Sequence, residues 1–253
     1  MGSTLYIYEM KKPLYILGSL LFLCNCSNKE VKKYQLPEIT TSQILVTELN
    51  NSRKLITDND KYSKTTSFKI QFHGQSIVKE IKEKLIKETL EEAFTGTNFE
   101  IINTARSGLQ VPQLLPLMAE DIYPQHADLL FFHAYGGTET GELEQFFKNL
   151  KTHFTGDVII FNHHLSYPED KKHNIKLTDL EDKTSIEMEK LAVKYAFGFI
   201  DLRSEWHKFL ELNKQVVPQD LLRDGIHLND EGKLLLEHIL MTHFITAIQT
   251  SEE

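Results

Sequence analysis

Between Phe68 and Phe94 the spacing of apolar residues changes once, where a strand gives way to a helix. Phe68, Ile70 and Phe72 alternate with Lys69 and Gln71, the two-residue period of a half-buried strand. From Ile77 onward, Ile77, Val78, Ile81, Leu85, Ile86, Leu90 and Phe94 fall on one stripe of a 3.6-residue period, with Lys and Glu opposite. The pattern predicts one long helix over 77–94. The join, His73-Gly74-Gln75-Ser76, sets a serine on a tight turn between the strand's end and the helix N-terminus. Unbonded N–H groups of a first helical turn point towards such a spot, and the helix dipole favours negative charge there. A serine so placed is either an N-cap or a nucleophile whose own amide helps hold the oxyanion it creates. The second reading requires a histidine base and an orienting acid elsewhere in the chain.

Downstream the same rhythm repeats. Phe99–Asn103, Ala127–His133, Asp157–Phe161 and Gly198–Asp201 read as buried strands. Helical periods cover Gly141–His153, Leu177–Tyr195 and Asp230–Ile248. Five strands alternating with helices predict an α/β fold, one mostly parallel sheet covered on both faces. Ligands of such sheets bind at the carboxyl ends of the strands. Ser76, Gly108, Tyr135 and His163 all fall at those ends. Trp206, Phe209 and Leu210, just after the fifth strand, read as core packing.

The first 66 residues have a different character. Met10-Lys11-Lys12 makes a basic start, with Met10 as the expected natural beginning, and Leu14–Leu23 is an apolar run too short to span a bilayer comfortably. The run ends L-F-L-C-N-C-S, which resembles a bacterial lipoprotein signal with Cys26 as the lipidated residue; a plain membrane anchor or secretory signal is the alternative. Each of these places the body outside the cytoplasm, the first by a lipid anchor in a bacterial membrane. Residues 27–66 read as a polar tether carrying a short extra strand, Ser42–Thr47. The functional domain is expected over 67–250.

Composition narrows the chemistry. The net charge is -8 and no Lys/Arg stripe carries aromatics, which argues against a nucleic-acid partner. The two cysteines, Cys24 and Cys26, both precede the body, so the body has neither a disulfide framework nor a thiolate metal site. His163 and His164 are adjacent and would project to opposite faces of a strand, so with His133 and His173 they make a poor metal set. No H-E-x-x-H, P-loop or G-x-G-x-x-G occurs, and neither metal nor cofactor is expected. His73, Gln75, His133 and His163 sit near strand ends, as pocket lining or as polar loop residues.

Just before the last helix the chain reads Arg223-Asp224-Gly225-Ile226-His227-Leu228-Asn229-Asp230-Glu231-Gly232. An aspartate three residues ahead of a histidine, on a loop entering a helix, can meet one ring nitrogen and leave the other facing outward. With Gly74-Gln75-Ser76 and Asn103-Thr104-Ala105-Arg106-Ser107-Gly108, these residues resemble the motif blocks of the SGNH hydrolases, the GDSL esterase/lipase superfamily. The resemblance covers residues 68–245, about 70 per cent of the chain. It implies a three-layer α/β/α sandwich with a flavodoxin-like five-stranded sheet, and esterase chemistry. Ser76 inherits the nucleophile, Asp224 and His227 complete the triad, and Gly108 supplies an oxyanion amide beside that of Ser76.

Two positions depart from the family pattern. Gln75 replaces the usual aspartate, a form familiar among the superfamily's carbohydrate esterases. His133-Ala134-Tyr135-Gly136 stands where the family has G-x-N-D, so Tyr135 occupies the place of an asparagine oxyanion donor and is expected to donate in its stead. The implied activity is a serine esterase removing acyl, especially acetyl, groups from a glycan or small ester. The alternatives are an acyltransferase using the same triad and a non-catalytic glycan-binding envelope lipoprotein that has kept only the fold.

Overall fold

A computed structural model describes residues 20–21, 33–62, 67–167 and 171–250. Most of the apolar run and Cys26 lie outside them. Leu20–Leu21 (β1) pairs antiparallel with Lys33–Tyr34 (β2). Among the described residues no helix is long and apolar enough to cross a membrane.

The chain then forms α1 (Gln43–Thr47) and α2 (Asn50–Tyr62). The strand expected at Ser42–Thr47 is therefore corrected to a helix. Leu45, Val46, Leu49 and Ile56 are all buried, and their spacing is that of a helical stripe, not of a strand. Ser42 caps α1 by accepting the Leu45 N–H. Asp157 reaches from another element to accept the Ser52 N–H and the Asn51 side chain, satisfying the start of α2.

The body follows as β3 (Ser67–Gly74), α3 (Ser76–Lys79), α4 (Glu83–Ala93), β4 (Asn98–Asn103), α5 (Val111–Leu114), α6 (Met118–Asp121) and β5 (Leu129–His133). Then come α7 (Glu142–His153), β6 (Asp157–Phe161), α8 (Lys171–Tyr195), β7 (Gly198–Ile200), α9 (Leu202–Leu212) and α10 (Asp230–Gln249). Strands β3 to β7 make one sheet of order β4-β3-β5-β6-β7, every pair parallel. This is the flavodoxin-like order, with the switch point between β3 and β5.

Alternation along the strands sorts the core into two layers. Phe68, Ile70, Phe72, Phe131, Ile159 and Phe161 pack with α4, α9, α10 and the α1–α2 segment. Leu130, Phe132, Val158 and Ile160 pack on the other face with the helices from α5 to α8. Strand β3 is half-buried only at its start, where Lys69 stays partly exposed; its later polar members, Gln71 and His73, are covered too. Gln71 donates to Thr104 Oγ1 and to the Asp121 carbonyl, and His73 meets Thr104 through Nδ1 at 3.1 Å.

The helix expected over 77–94 is broken at Glu80–Lys82, so the helix that begins at Ser76 is only four residues long. Groups from elsewhere satisfy the broken backbone. Asn103 Nδ2 donates to the Val78 carbonyl at 3.0 Å, and Glu237 of α10 accepts the Lys82 N–H at 2.5 Å. Glu80 itself pairs with Arg223 and Lys233, at 2.8 and 3.0 Å, tying the break to the Asp224–His227 loop and to α10.

Candidate active site

The position of Ser76 is set by Gly74. Gly74 closes β3 at φ +149 opposite His133 of β5, and a Cβ built on it would lie 1.9 Å from the His133 carbonyl oxygen. Only glycine allows the two backbones so close. Gly74→Ala is expected to cost about 1–3 kcal/mol through forced separation of β3 and β5, read as a lower urea midpoint, with lost activity because Ser76 lies two residues on.

Gln75, buried, takes the N-cap position of α3 without a side-chain cap bond, and Ser76 is the first helical residue. The capping reading of Ser76 is thereby replaced: its Oγ lies 3.1 Å from His227 Nε2. On the far side of the ring, His227 Nδ1 lies 2.9 and 3.1 Å from the two Asp224 oxygens. Asp224 Oδ1 also accepts the N–H groups of His227 and Ile226. Burial pushes the Asp224 carboxyl up, but these bonds together outweigh it and hold the group below its usual value. An ionised Asp224 places the proton on Nδ1, leaving the Nε2 lone pair towards the serine hydroxyl.

The loop carrying the pair is closed on itself. Leu222 bridges to Leu228, the Arg223 N–H donates to the His227 carbonyl at 2.8 Å, and Gly225 turns the chain at φ +81. Asp224 and His227 remain about half and one-third exposed, so water reaches the site.

Gly108 lies in the loop after β4, exposed, at φ +79, and its N–H is not used in any backbone hydrogen bond among the described residues. Two backbone bonds continue the β3–β4 pairing into that loop, Thr104 N–H to Phe72 O and Arg106 N–H to Gly74 O. The Arg106 guanidinium grips Asp121 of α6 with two bonds of 2.7 and 2.6 Å. The loop is thus anchored at its base while Gly108 stays open.

Tyr135 does not fill the oxyanion role expected of it. Its ring stacks on His163 at 3.9 Å between centroids, and its hydroxyl donates to Glu181 Oε1 at 3.2 Å. Burial and the Glu181 charge push that hydroxyl far above its usual pKa. A buried carboxylate needs donors, and Tyr135 is one of them.

The pocket-lining expectation for three histidines is likewise corrected. His73 lies in the second core layer, stacked with Phe132 and Phe146. His133 stacks on Phe161, with Nδ1 donating to the Phe161 carbonyl, and His163 packs edge-on to it. All three are fully buried and burial holds their rings neutral, His73 near pKa 4 and His133 near 3. A residue at or just beyond the end of a strand can still face the core, which strand-end position alone does not reveal. Among the described residues no group of three His, Cys, Asp or Glu is arranged to hold a metal ion.

Sequence reasoning missed the buried ion pair behind this block. Arg203 of α9 reaches Glu181 and Asp182 of α8 at 3.0 and 2.6 Å, and donates to the His164 carbonyl at 3.0 Å. Its one signal was an arginine three residues after a strand, in the first turn of a helix and on the same face as Trp206.

No family model and no curated protein matches the sequence. Solved structures do match. A protein of Parabacteroides merdae assigned as a GDSL-like lipase aligns over 74% of this chain and 99% of its own, with TM-score 0.60 and 19% identity. The acetyl xylan esterase AlAXEase aligns over 69% and 98%, with TM-score 0.57 and 22% identity. Axe2, an acetylxylan esterase of Geobacillus stearothermophilus, aligns over 74% and 96%, with TM-score 0.56 and 16% identity. Three further Axe2 structures are of catalytic mutants, at an aspartate, at a histidine three positions after it, and at a serine. The chain has the SGNH, or GDSL, hydrolase fold.

Proposed function

We propose that the chain is a serine esterase that removes short acyl groups, acetyl foremost, from a carbohydrate or small ester. The observation that carries this reading is the row Ser76 Oγ, His227 Nε2, His227 Nδ1, Asp224, joined at 3.1 and 2.9 Å. The same three residue types are the substituted ones in the Axe2 catalytic mutants, whose enzyme acts on acetylxylan.

His227 takes the Ser76 proton on Nε2 as the oxygen attacks the ester carbonyl. The oxyanion is held by the N–H groups of Ser76 and Gly108; Tyr135 is not among the donors. On collapse the carbon–oxygen bond to the alcohol breaks, and the alcohol leaves with the proton from His227. Water then gives its proton to His227 and attacks the acyl-enzyme, and the acid departs as Ser76 regains its proton. Asp224 keeps the tautomer throughout. The exposure of Asp224 and His227 favours water over a sugar hydroxyl as the second acceptor. With Cys26 lipidated, the enzyme would work outside the cytoplasm, tethered to a bacterial membrane.

Labelling of the soluble body by a fluorophosphonate, followed by peptide mapping, tests the proposal. One label per chain on the peptide holding Ser76, with turnover of p-nitrophenyl acetate, is the expected result. A label elsewhere, or none, overturns it.

A further inference from the structure

The two carbonyls between Asp224 and His227 are both held from outside their own loop. Tyr167 N–H donates to Gly225 O at 2.5 Å, and His164 Nε2 lies 2.8 Å from Ile226 O. Both donors come from the segment that follows β6. The Ile226 peptide leads directly into His227, so whatever fixes that carbonyl fixes the base of the catalytic ring. A carbonyl can only accept, so Nε2 of His164 carries the proton and Nδ1 is bare. The imidazole is fully buried, packed against Trp206 with centroids 5.5 Å apart. The backbone of His164 is clamped in turn, its carbonyl accepting from Arg203 Nη1 at 3.0 Å.

We propose that His164 is a positioning residue for the reaction: a buried neutral imidazole whose Nε2–H holds the Ile226 peptide and so aims His227 at Ser76. The inference rests on the esterase reading above. Nothing in the proposed chemistry requires His164 to touch substrate or to exchange a proton. Its part is geometric, and geometry matters because a misplacement of about 1 Å costs on the order of 10²-fold in rate.

The test compares two replacements of similar bulk. His164→Gln keeps an N–H donor of similar reach; His164→Leu removes it and leaves the Ile226 carbonyl without its partner. For the Leu variant, kcat on p-nitrophenyl acetate is expected to fall about 10- to 100-fold with KM within about twofold, and fluorophosphonate inactivation to slow in parallel. The Gln variant is expected to recover to within about threefold of wild type. A role in stability alone would lower the melting temperature and leave kcat per folded molecule unchanged. A folded Leu variant with wild-type kcat, or a Gln variant as impaired as Leu, overturns the proposal. Nitrogen-15 NMR of the wild-type chain needs no variant: the neutral Nε2–H tautomer is expected for His164, and the Nδ1–H tautomer overturns the proposal. Wild type that neither labels nor turns over would sink the esterase reading instead, while the tautomer still reports on the bond to Ile226.

Discussion

Ser76→Ala is expected to abolish fluorophosphonate labelling and to lower kcat on p-nitrophenyl acetate by about 10⁶-fold, leaving only catalysis by binding and the oxyanion amides. The fold should barely notice the change. Ser76 is the first residue of α3 and not its cap, its Oγ is bonded to His227, and alanine is a good helix former. Stability within about 0.5 kcal/mol of wild type is expected, which separates a lost nucleophile from a lost structure. Asp224→Asn makes the same point from the other end of the row. The asparagine amide meets Nδ1 as a donor, pushes the proton to Nε2, and removes the lone pair that should face the serine. A fall of about 10³- to 10⁴-fold in kcat is expected, somewhat relieved by the exposure of residue 224. Because the three groups act as one unit, the double variant should be hardly worse than Ser76→Ala. Equal hydrolysis by wild type and Ser76→Ala would defeat the esterase reading on that substrate.

The parts of this site that could be read from the sequence share a physical property: each is determined within a few residues. The turn at Gly74 follows from a strand meeting a helix, and Asp224 and His227 reach one another across three positions. Strand alternation likewise announced the sheet. What could not be read depends on partners distant in the chain. The Tyr135 hydroxyl is taken up by Glu181, 46 positions later, a buried carboxylate that needs a donor. His73 and His133 meet carbonyls through Nδ1 and His163 stacks on Tyr135 with neither ring nitrogen hydrogen-bonded among the described residues, so their strand-end positions suggested a rim they do not line. The helix after Ser76 breaks because Asn103, Glu237 and Arg223 supply tertiary partners to the break, which no local period encodes. At Gln43–Thr47 a run of β-branched and apolar residues resembles a strand, and burial of successive Leu45 and Val46 decides for a helix.

Arg203→Met is the substitution outside the triad from which the largest loss of stability is expected. Arg203 is 8% exposed at its side chain and Glu181 is not exposed at all. Removing the cation leaves a buried carboxylate with the Ser166 and Tyr135 hydroxyls to offset its desolvation, a change that typically costs about 3–5 kcal/mol. For a domain of this size that corresponds to a melting temperature lower by about 10 °C. The loss should depend on pH, and its direction follows from Glu181. Burial already raises the Glu181 pKa, against the pull of Arg203 and the hydroxyl bonds. A carboxyl raised in the folded state contributes stability that is fully present below the unfolded value, about 4.3, and lost as pH rises through the folded one. Without Arg203 the folded value climbs further, so more is lost at neutral pH. The deficit of Arg203→Met is therefore expected to be largest near pH 7 and to shrink towards about 1 kcal/mol near pH 4, the remainder reflecting the His164 carbonyl left without its donor. Adding Glu181→Gln to Arg203→Met removes the stranded charge, and should recover most of the stability at pH 7 and flatten the pH profile. Urea unfolding of the three chains at pH 4 and pH 7 measures all of this. A deficit that stays constant with pH, or a double variant no better than the single, would show that Glu181 is not held as a buried anion by Arg203.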